Sequence, residues 1–268
     1  MASTGKDFWD AKGRNEEAIN RKKEESLGVA HVAQAAIVTG ASSGIGREIS
    51  RVLCDMGYEV FGIGRQFRKT ESIPDSEGRF HPLVCDLLDT KELTRLVNDL
   101  RKEHEISVLV NNAGVGYYGL HEEISIPNLQ AMLRTNLEVP LILSQLLLRD
   151  LKKTKGYIIN ISSVTAGQSN PHGCAYGASK AGLSSFSKSL FDEARKYGLK
   201  VLTIHPDMTK TDLYRNADFC EGEEEASYLL PQEVAAAVQY ALSQRDTFVM
   251  TEISLKPQLH RIQKKKHP

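Results

Sequence analysis

The chain has 268 residues, enough for one large α/β domain or two small ones, and it is 41% apolar and 25% charged, as ordinary globular proteins are. Its formal net charge of zero argues against a general nucleic-acid binder, because such proteins gain affinity by neutralising phosphates. No apolar run reaches the length of a membrane span, and the four cysteines form no CxxC pair. We therefore expect a soluble, cytoplasmic protein with reduced thiols, no membrane partner and no metal site.

Charge patterning divides the chain into three parts. Residues 1–30 carry many charges of both signs and no apolar stretch, which predicts a charged N-terminal leader and not a secretory signal. The domain proper is predicted for 31–257, followed by a basic tail at 258–268 that contains Lys264, Lys265 and Lys266. Together with the glutamates at 221–225, this tail is expected to be solvated surface, although binding of a partner is an alternative.

Apolar strands alternate with amphipathic helices along the domain. In chain order we predict a strand at 35–38, a helix at 45–56, strands at 59–63 and 80–85, a helix from about 90, a strand at 108–110, a long helix at 127–151, a strand at 157–161, a helix from about 175 to 196, a strand at 201–204, a helix from 231 and a strand near 248–255. This order predicts an α/β fold with a doubly wound, Rossmann-type parallel β-sheet, helices on both faces and a single domain. Ligand sites are then expected at the carboxyl ends of the strands.

A glycine-rich turn follows the first strand and opens the first helix, which is the context in which such a motif binds a dinucleotide pyrophosphate. Gly40 permits the tight turn, Gly44 lets the backbone approach the pyrophosphate, and Gly46 allows close packing of helix on strand. The other candidate cofactor contacts in this turn are Ser42, Ser43 and Ile45. On its own, the GxxxGxG spacing could also be a plain strand–helix turn.

Tyr176 and Lys180 stand one helical turn apart, so the phenol and the ammonium are expected on the same helix face. A phenol beside a fixed positive charge loses its proton more readily, because the phenolate is stabilised. With the Ser163 hydroxyl and a bound dinucleotide, these are the groups needed to move a hydride and a proton onto a carbonyl. Taken alone, the pair could instead be a surface pair whose lysine stem covers apolar area.

Further residues occur in the order and spacing of one known family. The residues that carry the resemblance are Asn111, Asn112, Ala113, Gly114, Asn136, Ser163, Tyr176 and Lys180. With the glycine turn in front of them, the chain resembles the short-chain dehydrogenase/reductase family, in its compact single-domain subgroup, over about residues 35–255.

The resemblance implies a role for each matching residue. Tyr176 would be the general acid in reduction and the base in oxidation, with its pKa lowered by Lys180 and by the positive nicotinamide of the oxidised cofactor. Lys180 would also bind the nicotinamide ribose. Ser163 would hold the substrate carbonyl oxygen. Asn136 would sit at a helix irregularity and bind a water that links Lys180 to solvent. The family also implies a homodimer or homotetramer.

The end of the second strand favours NADP(H) as the cofactor. Family members that prefer NAD carry an acid there to bind the ribose diol. Here Gly64 is followed by Arg65, with Arg68 and Lys69 close by, and a guanidinium can grip a 2′-phosphate in a bidentate way. The alternative is that Arg65 is simply exposed.

Two later segments match cofactor contacts of the family. The matching residues are Asp86, Leu87, Asn112, Ala113, Gly114, Pro206, Thr209 and Thr211. Asp86 would contact the adenine, or alternatively form a local turn or helix cap. Asp207 departs from the usual Gly: either it adopts the left-handed backbone that Asp tolerates, or its carboxylate enters the substrate site and favours an amine or polyhydroxyl group.

The predicted activity is NADP(H)-dependent interconversion of a small carbonyl compound and an alcohol. The pocket walls are expected from a lid at 214–228 together with Tyr117, Tyr118, Val164, Gln168 and Asn170. One alternative is a reductase of carrier-bound 3-oxoacyl groups. Another, from a different class, is a regulatory protein that senses NADP without turnover.

Overall fold

A seven-stranded parallel sheet forms the centre of the computed structural model, which describes residues 34–67 and 78–265. The predicted leader at 1–30, Arg68, Lys69 and Lys266 lie outside the described residues. The elements are β1 (Ala35–Thr39), α1 (Gly44–Asp55), β2 (Glu59–Gly64), β3 (Phe80–Val84), α2 (Thr90–Glu103), β4 (Ile106–Asn111), α3 (Ile126–Leu133), a π-helical segment (Arg134–Glu138), α4 (Val139–Lys153), β5 (Tyr157–Ile161), α5 (Cys174–Ala194), β6 (Lys200–Pro206), β7 (Phe219–Glu221), α6 (Pro231–Leu242), β8 (Glu252–Leu255) and β9 (Ile262–Lys264).

The strand order of the large sheet is β3-β2-β1-β4-β5-β6-β8, and every neighbouring pair is parallel. The order reverses direction between β1 and β4, so the loops after these two strands diverge and leave a crevice at the carboxyl edge. The predicted α/β class, with a doubly wound Rossmann-type sheet, is confirmed.

Both faces of the sheet are covered, because its strands are apolar at successive positions. All five residues of β1 are buried. Ile37 belongs to a core cluster with Leu147 of α4, whereas the next residue, Val38, belongs to a second cluster with Leu53 of α1. Alternation of side chains along a strand thus supplies two cores, one on each face.

The structure differs from the predicted elements in two places. The helix predicted over 127–151 consists of α3 and α4 joined by the π-helical segment. A search for apolar residues at the 3.6-residue period of an α-helix does not detect this wider turn. A second, antiparallel sheet joins β7 to β9, and β9 lies within the segment predicted as a basic tail. These three-residue strands are partly or fully exposed, so no apolar alternation marks them in the sequence.

In the described ranges, none of the helices combines the length and the apolar character needed to cross a bilayer. Nor do three or more His, Cys, Asp or Glu side chains of those ranges gather closely enough to hold a metal ion.

Candidate active site

The predicted site residues converge on one cavity of about 300 Å³ at the carboxyl edge of the large sheet. All of them line it except Gly46 and Asn136, which lie behind its wall. The predicted residues that line it are Gly40, Ser42, Ser43, Gly44, Ile45, Arg65, Asp86, Leu87, Asn112, Ala113, Gly114, Ser163, Tyr176, Lys180, Pro206, Thr209 and Thr211. They follow the ends of six different strands or lie on α5, so folding of the sheet is what brings them together.

The glycine turn forms one end of the cavity. Gly40 and Gly44 have φ angles of 66° and 53°, in the left-handed region that favours glycine. A Cβ atom at Gly46 would lie 2.3 Å from the Gly40 carbonyl oxygen, so a side chain there would force the turn apart. α1 begins at Gly44, and Ser43 makes no side-chain capping bond, so the first backbone N–H groups of the helix lack a side-chain cap. Gly44 and Ile45, at this helix start, line the cavity.

Thr39 and Asn112 lock the glycine turn to the loop after β4. The Thr39 hydroxyl accepts from the N–H groups of Asn112 and Ala113 at 3.0 and 3.1 Å. In return, Asn112 Nδ2 donates to the carbonyl oxygens of Thr39 and Gly40 at 2.9 and 3.3 Å. The side-chain amide of Asn112, which was predicted as a cofactor contact, therefore hydrogen-bonds to the glycine turn. Thr39 was missed from the sequence, although it directly precedes the first glycine of the motif.

Asp86 forms the local turn that was the alternative expectation, and it also lies at the cavity wall. Its carboxylate accepts the Leu88 N–H at 3.0 Å in a local turn, while the residue also lines the cavity. The cap of α2 is a different residue, Asp89, which accepts the Glu92 N–H. Asp86 is thus held rigidly at the cavity wall, where its outer oxygen can face a ligand.

Tyr176 and Lys180 lie one turn apart on α5, and both are almost fully buried. Lys180 Nζ donates a 2.7 Å hydrogen bond to the Ile161 carbonyl oxygen at the end of β5 and lies 5.9 Å from the centre of the Tyr176 ring. Ser163 follows two residues after Ile161, and its hydroxyl accepts from the Thr165 N–H at 3.2 Å. The cavity therefore presents a phenol, an ammonium and a serine hydroxyl together.

Burial has the largest effect on the pKa values of Tyr176 and Lys180. Desolvation raises the pKa of Tyr176 to about 12, although interaction with the Ser163 hydroxyl acts in the opposite direction. Desolvation also lowers the pKa of Lys180 to about 8. The expected lowering of the Tyr176 pKa depends on Lys180 together with the positive nicotinamide of the oxidised cofactor. In the protein chain by itself, burial outweighs the Ser163 contact, and the pKa lies above its ordinary value.

Asn136 lies in the π-helical segment, as the family resemblance implied, but it does not reach the cavity. Its amide donates to the Val115 carbonyl oxygen at 2.9 Å and to Ser179 Oγ at 3.1 Å, and its oxygen accepts the Val115 N–H at 2.9 Å. Asn136 thus fixes the loop after β4 against α5. A Cβ atom built on Gly114 would lie about equally close to Asn136 Oδ1 and Lys180 Nζ, at 3.5 and 3.6 Å.

His205 is a positioning residue that the sequence did not reveal. Its Nδ1 lies 3.1 Å from the Ser163 carbonyl oxygen and its Nε2 lies 3.3 Å from a Glu252 carboxylate oxygen. His205 therefore braces the backbone of Ser163 from the side opposite the cavity. The contact between His205 and Glu252 joins β6 to β8, and these two residues are far apart in the sequence.

The segment after β6 brings the predicted Pro206, Thr209 and Thr211 to the cavity. Asp207 does not adopt the left-handed backbone considered for it, since its φ angle is not positive. The residue lines the cavity, which is the placement that the alternative expectation needs. Thr211 Cγ2 would lie 3.1 Å from a Cβ atom at Gly44, so this segment rests directly on the glycine turn.

Aromatic side chains close the substrate side of the cavity. The Tyr118 ring lies 5.6 Å from that of Tyr176, 6.0 Å from that of Tyr214 and 5.2 Å from that of Phe219. Burial raises the pKa of Tyr118 and of Tyr214 above the ordinary value, so both phenols stay neutral.

Four of the predicted wall residues outside the lid do not line this cavity: Tyr118, Val164, Gln168 and Asn170. Val164 and Gln168 line a second cavity beside Lys188, and Asn170 donates to the Gly173 carbonyl oxygen at the start of α5. Of the predicted walls, Tyr117 and the first two lid residues, Tyr214 and Arg215, line the first cavity.

Residues 259–265, which we call the C-terminal strap, hold the predicted lid in place. The Leu259 N–H donates to the Ala226 carbonyl oxygen at 2.8 Å, and β9 pairs with β7. Lys265 then donates from its backbone N–H to the Asp218 carbonyl oxygen at 2.8 Å and from Nζ to the Tyr214 carbonyl oxygen at 2.6 Å. The lid is thus built by two segments far apart in the chain.

Comparisons with known proteins agree with this geometry. The family model described as short chain dehydrogenase matches residues 34–219. An uncharacterized oxidoreductase from Staphylococcus epidermidis is 30% identical over 230 residues, covering 84% of this chain and 97% of the relative. A 3-oxoacyl-[acyl-carrier-protein] reductase from Salmonella typhimurium is 31% identical over 229 residues, covering 81% and 93%. A metagenomic short-chain oxidoreductase solved in complex with NADP is 28% identical, with a TM-score of 0.73, covering 86% and 100%.

Replacing Lys180 with Met should stabilise the protein at pH 7, because it removes a charge that burial disfavours. The gain should shrink between about pH 8 and pH 10, since the folded wild type loses this proton near pH 8 whereas the unfolded chain keeps it to higher pH. Denaturant unfolding of both proteins across this range measures the difference. Lys188→Met, at an exposed site on the same helix, should show no such trend, and a gap that stays constant for Lys180→Met would contradict the argument.

Replacing Lys265 with Met should loosen the lid, because the substitution removes the hydrogen bond from Nζ to the Tyr214 carbonyl oxygen. We expect amide hydrogen exchange over 214–221 to quicken by about tenfold, the size of a local opening made easier by one hydrogen bond to a charged group. Mass spectrometry of peptides from this region measures the change. The matched control is Lys264→Met, at the neighbouring exposed position; equal exchange in the two variants would refute the role of Lys265.

Proposed function

This chain belongs to the short-chain dehydrogenase family, and on that premise we propose that it is an NADP(H)-dependent oxidoreductase that interconverts a small carbonyl compound and an alcohol. The observation that carries the proposal is the convergence of the Tyr176 phenol, the Ser163 hydroxyl and the Lys180 ammonium on one cavity that extends to the glycine turn. An acid, a hydroxyl donor and a charged group beside a dinucleotide cradle are the parts that carbonyl reduction requires.

The cradle fits a dinucleotide phosphate. The free N–H groups at the start of α1 and the two left-handed glycines would hold the pyrophosphate. Gly64 places no carboxylate at the end of β2, and the exposed Arg65 lines the cavity next to it, where its guanidinium would pair with a 2′-phosphate. The similar metagenomic oxidoreductase solved with NADP supports this choice.

Tyr176 serves as the proton donor in reduction. NADPH, when bound, supplies the hydride. A pKa of about 12 keeps the phenol protonated at neutral pH, so the acid form is the one available. The Ser163 hydroxyl orients the carbonyl oxygen toward the phenol, and the Lys180 ammonium on the same helix face stabilises the phenolate that remains. Oxidation of an alcohol needs the phenolate, and its rate therefore rises with pH.

Reduction of 3-oxoacyl groups on a carrier protein is a second candidate, which the relative from Salmonella typhimurium favours. A carrier reductase is expected to have a basic docking surface at the pocket mouth, whereas the lid carries Glu221, Glu223, Glu224 and Glu225. Arg261 of the strap pairs with Glu224 and offsets part of this charge. Comparing a 3-oxobutanoyl thioester with its carrier-bound form separates the two candidates, since a carrier reductase should strongly prefer the bound form.

Tyr176→Phe should lower the kcat of carbonyl reduction by about a thousandfold, because the variant keeps the ring but lacks the proton donor. NADPH consumption with a panel of ketones, aldehydes and oxo-acids measures this, and titration of NADPH fluorescence should show unchanged binding. Tyr240→Phe, at an exposed tyrosine, is the control. Tight NADPH binding by the wild type with no turnover of any compound would overturn the proposal and favour a non-catalytic sensor.

Arg65→Ala should weaken NADPH binding by about tenfold to a hundredfold and leave NADH binding nearly unchanged, because the 2′-phosphate is present only in NADPH. Dissociation constants from fluorescence titration give both values. Gln66→Ala, at the adjacent exposed position, should change neither of them. If Arg65→Ala binds both cofactors as the wild type does, Arg65 does not read the phosphate.

A further inference from the structure

Asp207 lines the same cavity as Tyr176 and Ser163, and its side chain is 15% exposed. Oδ1 accepts the Met208 N–H at 2.8 Å. For Oδ2, residues 34–67 and 78–265 supply no hydrogen-bond donor, and the ion-pair contact there is His260 Nδ1 at 3.8 Å. A carboxylate oxygen without a protein donor at the wall of a cavity can accept a hydrogen bond from a ligand group.

Three cations near the substrate end of the cavity donate to backbone groups, whereas Arg65 lies at the opposite end, beside Gly64. Lys180, Arg215 and Lys265 each donate to backbone carbonyl oxygens. The His260 imidazole is 72% exposed, and its 3.8 Å contact with Asp207 exceeds hydrogen-bond distance. The negative charge of Asp207 therefore stays available to a molecule in the cavity.

Aromatic rings accompany this carboxylate. Tyr214 lines the cavity and lies within electrostatic reach of both Tyr176 and Asp207, which contribute to its raised pKa. Tyr118 packs against the rings of both tyrosines. The faces of such rings and a carboxylate both attract an organic cation, whereas a neutral hydroxyl gains little from the rings. The combination selects a positively charged group over a polyhydroxyl group.

We propose that Asp207 binds an ammonium group of the substrate, so that the substrate class is small amino alcohols and the corresponding amino ketones. The inference rests on the proposed oxidoreductase function. In this pose the reacting carbon and oxygen lie at Tyr176 and Ser163 while the ammonium lies at Asp207 Oδ2. Oxidation moves a hydride from the carbinol carbon to NADP⁺ and the hydroxyl proton to the Tyr176 phenolate, and the ammonium is unchanged.

Three alcohols of matched shape test the proposal: 1-aminopropan-2-ol, propane-1,2-diol and butan-2-ol, which present an ammonium, a hydroxyl and a methyl group at the same position. Reduction of NADP⁺ with each alcohol gives kcat/KM for the wild type and for two variants. Asp207→Asn removes the charge but keeps the acceptor for the Met208 N–H. Asp218→Asn is the control, because it removes an exposed lid carboxylate outside the cavity. Calorimetric binding of the amino alcohol to Tyr176→Phe, with and without Asp207→Asn, provides a readout that needs no turnover.

We expect the amino alcohol to exceed butan-2-ol at least tenfold in kcat/KM, with the preference lost in Asp207→Asn and kept in Asp218→Asn. Equal use of the amino alcohol and butan-2-ol, or a preference that survives Asp207→Asn, overturns the assignment. Equal use of the diol and the amino alcohol overturns it in favour of a neutral donor. Turnover of other carbonyl compounds but none of these alcohols overturns it while sparing the proposed function. If no compound reacts, the proposed function fails, and calorimetry alone decides whether Asp207 binds the ammonium.

Discussion

Two reciprocal hydrogen bonds between α5 and the end of β5 hold the site together. Lys180 Nζ donates to the Ile161 carbonyl oxygen at 2.7 Å, and Ser162 Oγ donates to the Lys180 carbonyl oxygen at 3.1 Å. Since Ser163 comes next in the chain and Tyr176 lies one turn before Lys180, these bonds set the position of the hydroxyl relative to the phenol. Burial of the ammonium opposes the arrangement, which the surrounding packing of α5 must offset.

The two ends of the cavity are built on different physical principles. At the glycine turn the ligand-facing groups are backbone N–H groups, and Thr39 and Asn112 hold them in place through main-chain partners. At the substrate end the cavity is lined by side chains, with Tyr176 on α5 and with Asp207 and Tyr214 on the segment after β6. The C-terminal strap pairs with the later part of that segment through β9. Backbone groups offer the same surface whatever the side chains are, whereas the loop side chains decide which molecule fits. A common cradle and an individual pocket can therefore coexist in one fold.

Features of short range were readable from the sequence. Apolar strands such as β1, the turn at Gly40 and Gly44, and the one-turn spacing of Tyr176 and Lys180 each express a local period or a local backbone need. Features of long range were not. His205 bracing Ser163, and β9 pairing with β7 within a supposed tail, depend on residues that are about 40 positions apart in the chain. The single residues involved carry no pattern of their own.

The sequence by itself determined the family, the doubly wound sheet and the residues that would gather at its edge, because periodicity and motif spacing are properties of neighbouring residues. The tertiary structure alone decided how those groups behave. Tyr176 is buried, and its pKa rises to about 12. Asn136 hydrogen-bonds to the loop after β4, and Asp207 lines the cavity. Desolvation, hydrogen-bond partners and side-chain direction depend on which distant segments pack around a group, and that packing exists only in the folded chain.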